Sequence, residues 1–398
     1  MAVTSTGPEP GAGADTLAAL PGQSLAGGRE SVGTAMSSRE GRPGSGPVPA
    51  PAGPGDGGDT EAMALLEAAR ADVDPELRRA VDTLPGQLRR IARYHFGWEH
   101  ADGTPAAGNA GKAIRPALVL AAVRALGGRP KDALRAAAAV EVIHNFTLLH
   151  DDVMDRDATR RHRPTAWSVF GDADAILAGD ALQALGYVML AGDPHPGAAR
   201  AAARLATCVV ELCAGQQSDT AMERQAPGEV TLDGCLAMAE AKTGALLGCA
   251  CAIGAVYAGA GEEEVAALDA FGREAGLAFQ LIDDVIGIWG DPRRTGKPAG
   301  ADLLARKKSL PVVAALGSGT AAGAELALLY GVPADPSDAA GLARTVRVVE
   351  AAGGRDWAQL QAGDRMSRAV QCLARAVGEP AAAGELLALA EFVTRRTV

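Results

Sequence analysis

From residue 60 onward the chain carries almost no strand signal, and that constrains its fold more than any other feature. Ala and Leu dominate, and apolar side chains return at helical rather than alternating steps. In DALRAAAAVEVIHNFTLLHDDVMD (132–155), Leu134, Ala138, Val142, Phe146 and Leu149 recur every three or four residues. Breaks fall at GGRPKD (127–132), GDPHPG (192–197), QAPGEV (225–230), GDPRRTGKPAG (290–300) and GVPADPSD (331–338). The runs between them predict about ten to twelve helices, an all-α single large helical bundle around a deep central cavity. No internal repeat of solenoid length is present.

The N-terminal region reads differently. GRPGSGPVPAPAGPGDGGD (41–59) typifies a stretch rich in Gly, Pro, Ser and Ala, which cannot bury enough apolar surface to offset its ordering entropy. Residues 1–58 are expected to form a disordered tail and 59–398 the folded domain. The tail has no basic start followed by an apolar run, so no secretory signal is expected. The uncharged stretch GALLGCACAIGAVYAGAG (244–261) approaches the length of a membrane span, yet it is mostly Ala and Gly with acids at once behind it. It is read as a helix buried in the core, so no transmembrane segment is expected. Cys208, Cys213, Cys235, Cys249, Cys251 and Cys372 form no CxxC pair, as suits buried thiols in a reducing cytoplasm. The net charge of −10 argues against a nucleic-acid partner.

Two acidic clusters interrupt this apolar pattern. Asp151, Asp152 and Asp155 form DDxxD, with Asp151 and Asp155 one turn apart on one helix face. Like charges at that spacing repel unless something positive compensates. An all-carboxylate set suits a hard cation such as Mg2+, which keeps waters and takes phosphate oxygens. FQLIDDVIGIWGD (279–291) brings a second pair, Asp283 and Asp284, on another apolar helix. Leu148-Leu149 and Leu281-Ile282 directly precede the two pairs, which places both at one end of a greasy cavity. Cations follow in four places: Lys112 and Arg115; Arg160 and Arg161; Lys242 beside Thr243; and Lys297, Lys307 and Lys308. Individually each suits a solvated surface. Beside acidic metal ligands they are what clamping a diphosphate requires, and more than one clamp implies more than one phosphorylated substrate.

The ordered set GKxxRP, IHxxxLxHDDxxDxxxxRRxxPT, GQxxD, KTG, FQxxDD, GKPxGxDL and KxSLP resembles the trans-isoprenyl diphosphate synthases, the polyprenyl synthetase family, over about 110–311. The resemblance implies an all-α bundle and a prenyltransferase that condenses isopentenyl diphosphate with C5 to C15 allylic diphosphates, usually as a homodimer. It implies three Mg2+ ions, with Asp151 and Asp155 binding two, Asp152 in support, and Asp283, with Asp284 beside it, binding the third. Arg160, Lys242, Lys297 and Lys307 would hold the allylic diphosphate. Thr243 and Gln280 would line that head-group site, and Gln216 and Asp219 the reacting end. Lys112, Arg115, His144 and Arg161 would hold isopentenyl diphosphate, and Lys308 receives no role.

Gly287 departs from the family pattern, standing where the last aspartate of the second motif is usual. Activity is expected to survive, with weaker Mg2+ binding and Asp291 as a candidate stand-in. In the family the product grows along the first-motif helix toward a bulky floor. Phe146 lies five residues before Asp151, about 7.5 Å along the axis, and Thr147 before Asp151 by four is small. That pattern resembles synthases making geranylgeranyl diphosphate (C20), with farnesyl diphosphate (C15) as the alternative. A class I terpene cyclase on the same fold is a rival reading, but it needs no second diphosphate site. Cyclases also favour aromatic walls, and only 4% of this chain is aromatic. An inactive partner subunit is a further rival; it would be expected to lose the first aspartates or the Arg160-Arg161 pair.

Overall fold

A computed structural model describes residues 57–106, 111–291 and 299–395. The expected tail over 1–58 lies outside these, save its last two residues, which open the first helix. The described chain is almost wholly helical. The helices are α1 (Gly57–Val81), α2 (Gly86–His95), α3 (Ile114–Ala125), α4 (Leu134–Met154), α5 (Ala166–Phe170), α6 (Asp172–Ala191), α7 (Ala198–Arg224) and α8 (Leu232–Ala239). They continue with α9 (Ala245–Tyr257), α10 (Glu262–Trp289), α11 (Ala301–Leu304), α12 (Leu310–Leu316), α13 (Ala321–Tyr330), α14 (Ala339–Ala351), α15 (Gly354–Ala376) and α16 (Gly384–Thr394). Four of the five Gly/Pro-rich breaks fall between helices as expected; the fifth, 290–300, lies largely outside the described residues. More helices appear than the ten to twelve anticipated, because short pieces such as α5, α11 and α12 are too brief to show a period.

The expected core helix is borne out. Every residue of α9 is buried, and its small side chains let it pack closely against α3 and α10. On α4, Ala136, Ala137, Ala138 and Ala139 are fully buried, as are Val140, Val142 and Ile143, and this helix packs on α6. The continuous helix Leu232–Tyr257 and helix Asp172–Ala191 are both long and apolar enough to cross a bilayer, and α12 with α13 would make a third such stretch bent by 119°. The first is mostly enclosed by the bundle, 61% of its most apolar window being buried. Helix α6 is less covered and leaves Ile176, Leu177 and Val188 exposed.

One element departs from the all-helical expectation. Thr159–Arg160 (β1) pairs antiparallel with Arg163–Pro164 (β2), directly after the first acidic cluster. The two loop residues, Arg161 and His162, both have positive φ, 52° and 62°. A two-residue hairpin loop with that backbone normally uses Asn and Gly. RRHR therefore gave no hairpin signal.

Candidate active site

The first acidic cluster sits at the C-terminal end of α4. Asp151 is half-buried, Asp152 is buried and Asp155, the residue that ends the helix, is exposed. Asp152 Oδ1 accepts from Arg160 at 2.7 Å, while its Oδ2 is buried with no hydrogen-bond partner among the described residues. Burial pushes the Asp151 carboxyl up to about 6, against the pull of Lys242. The helix thus ends in oxygen donors that are costly to hold ionised without a cation.

The opposing wall comes from α7 and the junction of α8 with α9. That junction, Glu240–Gly244, is a single π-helical turn, a form frequent at functional sites. It carries Lys242 and Thr243. Gly215 on α7 makes the approach possible: a Cβ there would stand 2.6 Å from the Lys242 backbone nitrogen. Lys242 Nζ donates to Asp219 Oδ2 at 2.7 Å. Burial opposes its charge, but Asp151 and Asp219 outweigh that and hold the ammonium above its ordinary pKa.

The second cluster lies near the end of α10, where Asp283 is exposed and Asp284 is buried. A chain of bonds crosses from the π-turn to this helix. Thr243 Oγ1 donates to Gln280 Oε1 at 2.8 Å, and Gln280 Nε2 donates to Asp284 Oδ1 at 2.9 Å. Lys307 Nζ lies 3.5 Å from the same oxygen, and Asp284 Oδ2 accepts from the Leu310 backbone N–H at 2.9 Å. Asp284, read from the sequence as a metal neighbour, therefore has both oxygens committed to protein and anchors the N-terminus of α12. The two clusters face one set of charges. Lys307, raised chiefly by Asp284, also feels Asp283 and Asp219, while Asp155 feels Lys242, Asp219 and Lys307.

Two cavities open beside this rim. One, of about 570 Å³, is lined by Lys112, Arg115, His144, Arg160, Arg161 and Glu141. The other, of about 750 Å³, is largely apolar; Asp151, Lys242, Thr243 and Gln216 line it together with Phe146, Thr147, Leu212 and Leu246. Arg115 and His144 line both, so the cavities meet there. A small recess of about 50 Å³ gathers Asp219, Lys242, Thr243, Gln280, Asp284 and Lys307. The set expected to hold isopentenyl diphosphate is thus gathered in the first cavity. Arg160, expected in the allylic set, lines that cavity too and is paired with Asp152. Lys297 lies outside the described residues. Asp291 lies exposed just past the end of α10.

Several residues of the site were not singled out from the sequence. Glu141 is 4% exposed, and Asn145 Nδ2 donates to its carbonyl at 2.8 Å. Burial raises the Glu141 carboxyl, against Arg115 and Arg161. His95 is pushed down to about 3 by burial and by Arg161 and Arg160. The one available signal was a lone acid and amide, EVIHN, within an apolar helix. Lys308, left without a role, donates to the Met222 and Glu223 carbonyls at the end of α7, at 2.8 and 2.9 Å. It ties the segment after α11 to the helix that carries Asp219.

A cation-lined cavity and an apolar one that meet beside carboxylates and lysines define a site for joining two phosphorylated, apolar-tailed molecules. Comparison with known proteins agrees. The family described as "Polyprenyl synthetase" matches residues 104–348. The chain is 51% identical over 334 residues to the geranylgeranyl diphosphate synthase of Mycobacterium tuberculosis, covering 84% of this chain and 93% of that one. It is 44% identical over 339 residues to a (2E,6E)-farnesyl diphosphate synthase of Mycobacterium bovis, with the same coverage of each. Its fold matches the crystal structure of a polyprenyl synthetase from Streptomyces coelicolor A3(2) with TM-score 0.79 and 44% identity, over 83% of this chain and 99% of that one. The chain belongs to the polyprenyl synthetase family and is a prenyltransferase of the trans-prenyl diphosphate synthase type.

Proposed function

We propose that the chain condenses isopentenyl diphosphate with allylic diphosphates and releases geranylgeranyl diphosphate. The meeting of the two cavities at Arg115 and His144 carries this reading, because condensation needs both substrates within bonding distance. The 51% identity to a geranylgeranyl diphosphate synthase favours C20 over C15.

The donor chemistry fits Mg2+. Carboxylate oxygens are hard ligands, and Asp152 Oδ2 is a buried oxygen without a hydrogen-bond partner among the described residues. Among the described residues no three acidic, His or Cys side chains converge on one point. That suits ions which keep water and take diphosphate oxygens instead of filling an all-protein cage. Asp151 and Asp155 would hold two ions and Asp283 a third, with Asp152 and Asp284 in support. Bound there, Mg2+ supplies positive charge that stabilises the departing diphosphate.

The chain's own residues do the rest. Lys242 and Lys307 hold the allylic diphosphate between the two acidic clusters and stabilise the charge that grows on it as the C–O bond breaks. Lys297 belongs to the same set. Thr243 and Gln280 fix the recess, and Gln216 and Asp219 line its approach to the cavity. The apolar cavity excludes water from the allylic cation. Lys112, Arg115 and Arg161 hold isopentenyl diphosphate in the first cavity. His144, pushed well below its ordinary pKa by burial and by Arg115 and Arg161, adds a hydrogen-bonding ring to that set. The double bond adds to the cation, the new C–C bond forms, and a proton leaves to the released diphosphate. The acidic chain accepts these anions because bound cations reverse the local charge.

Phe146, 5% exposed, lines the apolar cavity one turn above His150, whose ring it meets edge-on at 5.1 Å. It forms the floor that limits the product to C20, with Thr147 leaving space beside it. Ile176, Leu177 and Val188 on α6 and Val210 on α7 offer an apolar face to a second copy, in keeping with a homodimer. None of the six cysteines is in a disulfide, which suits a reducing cytoplasm. Incubation with isopentenyl diphosphate and, in turn, C5, C10 and C15 allylic diphosphates tests the reading. A C20 product from the C15 partner is expected; a product that stops at C15, or a cyclic hydrocarbon, would refute it.

A further inference from the structure

We propose that Gly287 is a socket for Asp302, which in turn aims Lys307 at the allylic diphosphate. The inference rests on the reading of Lys307 as a diphosphate ligand. It gives a positive role to the one residue at which the second acidic motif departs from the family pattern.

The geometry is local and connected. Gly287 lies on α10 one turn after Asp283. A Cβ built on it would stand 2.6 Å from the Asp302 Cγ and 3.0 Å from its Oδ1, so any side chain at 287 displaces that carboxylate. Asp302 sits on α11, and the Lys307 backbone N–H donates to its carbonyl at 2.9 Å. Asp302 and Lys307 are thus the two ends of one turn. From this turn Lys307 Nζ reaches Asp284 Oδ1 at 3.5 Å and Asp302 Oδ2 at 3.9 Å. The Tyr330 hydroxyl donates to the Lys307 carbonyl at 3.3 Å and steadies the backbone beneath it.

Lys307 is therefore bracketed by two carboxylates of unlike standing. Asp284 is fixed by Gln280 and Leu310 whatever stands at 287. Asp302 has its carboxylate in the space that a side chain at 287 would take. A long flexible ammonium held by one carboxylate can swing; held by two it points one way. The pointing direction is toward the recess that also contains Lys242, Thr243 and Asp219. Gly287 and Asp302 act through Lys307 and are positioning residues.

The test compares Gly287→Ala, Asp302→Asn, the double variant and Lys307→Ala by steady-state kinetics with farnesyl diphosphate and isopentenyl diphosphate, alongside thermal melts. Gly287→Ala and Asp302→Asn should each raise KM for farnesyl diphosphate about tenfold and leave KM for isopentenyl diphosphate unchanged. The double variant should be no worse than either single one, as expected for residues acting through one contact. Lys307→Ala should raise the same KM at least as much. If Lys307→Ala leaves it unchanged, the reading of Lys307 itself fails. If Lys307→Ala raises it but the two other single variants do not, or if they lower only kcat together with the melting temperature, the socket is refuted while the reading of Lys307 stands.

Discussion

Lys242 and Asp219 form an ion pair of 2.7 Å across the gap between the π-turn and α7, within reach of the Asp151 charge. The pair holds an ammonium at the mouth of the apolar cavity before any substrate arrives. Lys242→Ala should lower kcat with allylic diphosphates by about a hundredfold or more, the scale of losing one electrostatic stabiliser. Lys242→Arg keeps the charge but not the compact shape and should recover only part of the loss. Single-turnover rates with labelled isopentenyl diphosphate check both.

Asp151 sets a pH dependence. Burial raises its carboxyl from 3.8 to about 6 in the folded chain. Between those values the folded state holds a proton that the unfolded chain has lost. Stability therefore falls as pH rises through the window, and the full cost is present above about pH 6. Without divalent ions, Asp151→Asn should then be more stable than the parent at neutral pH, by about 1 kcal/mol after discounting for solvent screening. It should also lose most of the stabilisation that Mg2+ with inorganic diphosphate gives the parent. Thermal melts with and without those ligands, from acid to neutral pH, read both effects.

The Phe146 ring lines the apolar cavity. Phe146→Ala opens space along α4 and should shift the products from C20 to C25 and longer. Reversed-phase chromatography of the dephosphorylated products shows the shift directly; an unaltered distribution would leave Phe146 as ordinary core.

His162 carries a backbone strain that glycine would relieve. Its φ of 62° belongs to the left-handed region, disfavoured for a side chain by about 1 kcal/mol. His162→Gly should stabilise the protein by that amount, read as a higher midpoint in urea. It also shortens the lining of the first cavity, so KM for isopentenyl diphosphate is the companion measurement.

Much of this site was legible in the sequence because its parts are helical. A three-to-four-residue period places Asp151 and Asp155 on one face, and the apolar residues before each acidic pair place both pairs on core-packed helices. The GKxxRP and RR motifs likewise gathered Lys112, Arg115 and Arg161 around one cavity, with His144. What was not legible depended on tertiary contact. The Arg161-His162 hairpin has no turn residues to announce it. Asp284 is indistinguishable from Asp283 in a string of letters, and only the Leu310 N–H and Gln280 against it show that its oxygens are taken. The pairing of Arg160 with Asp152 is equally invisible there, because a hairpin brings the two together. Gly287 looked like a loss, because the residue that fills its space comes fifteen positions later.

The most direct test is to supply purified protein with labelled isopentenyl diphosphate and farnesyl diphosphate, with Mg2+ or with excess chelator, and to follow the label. Two acidic clusters that share one diphosphate through divalent ions require a C20 diphosphate with Mg2+ and none with chelator. Equal turnover in the two conditions, or label that stays in isopentenyl diphosphate when Mg2+ is present, would contradict them.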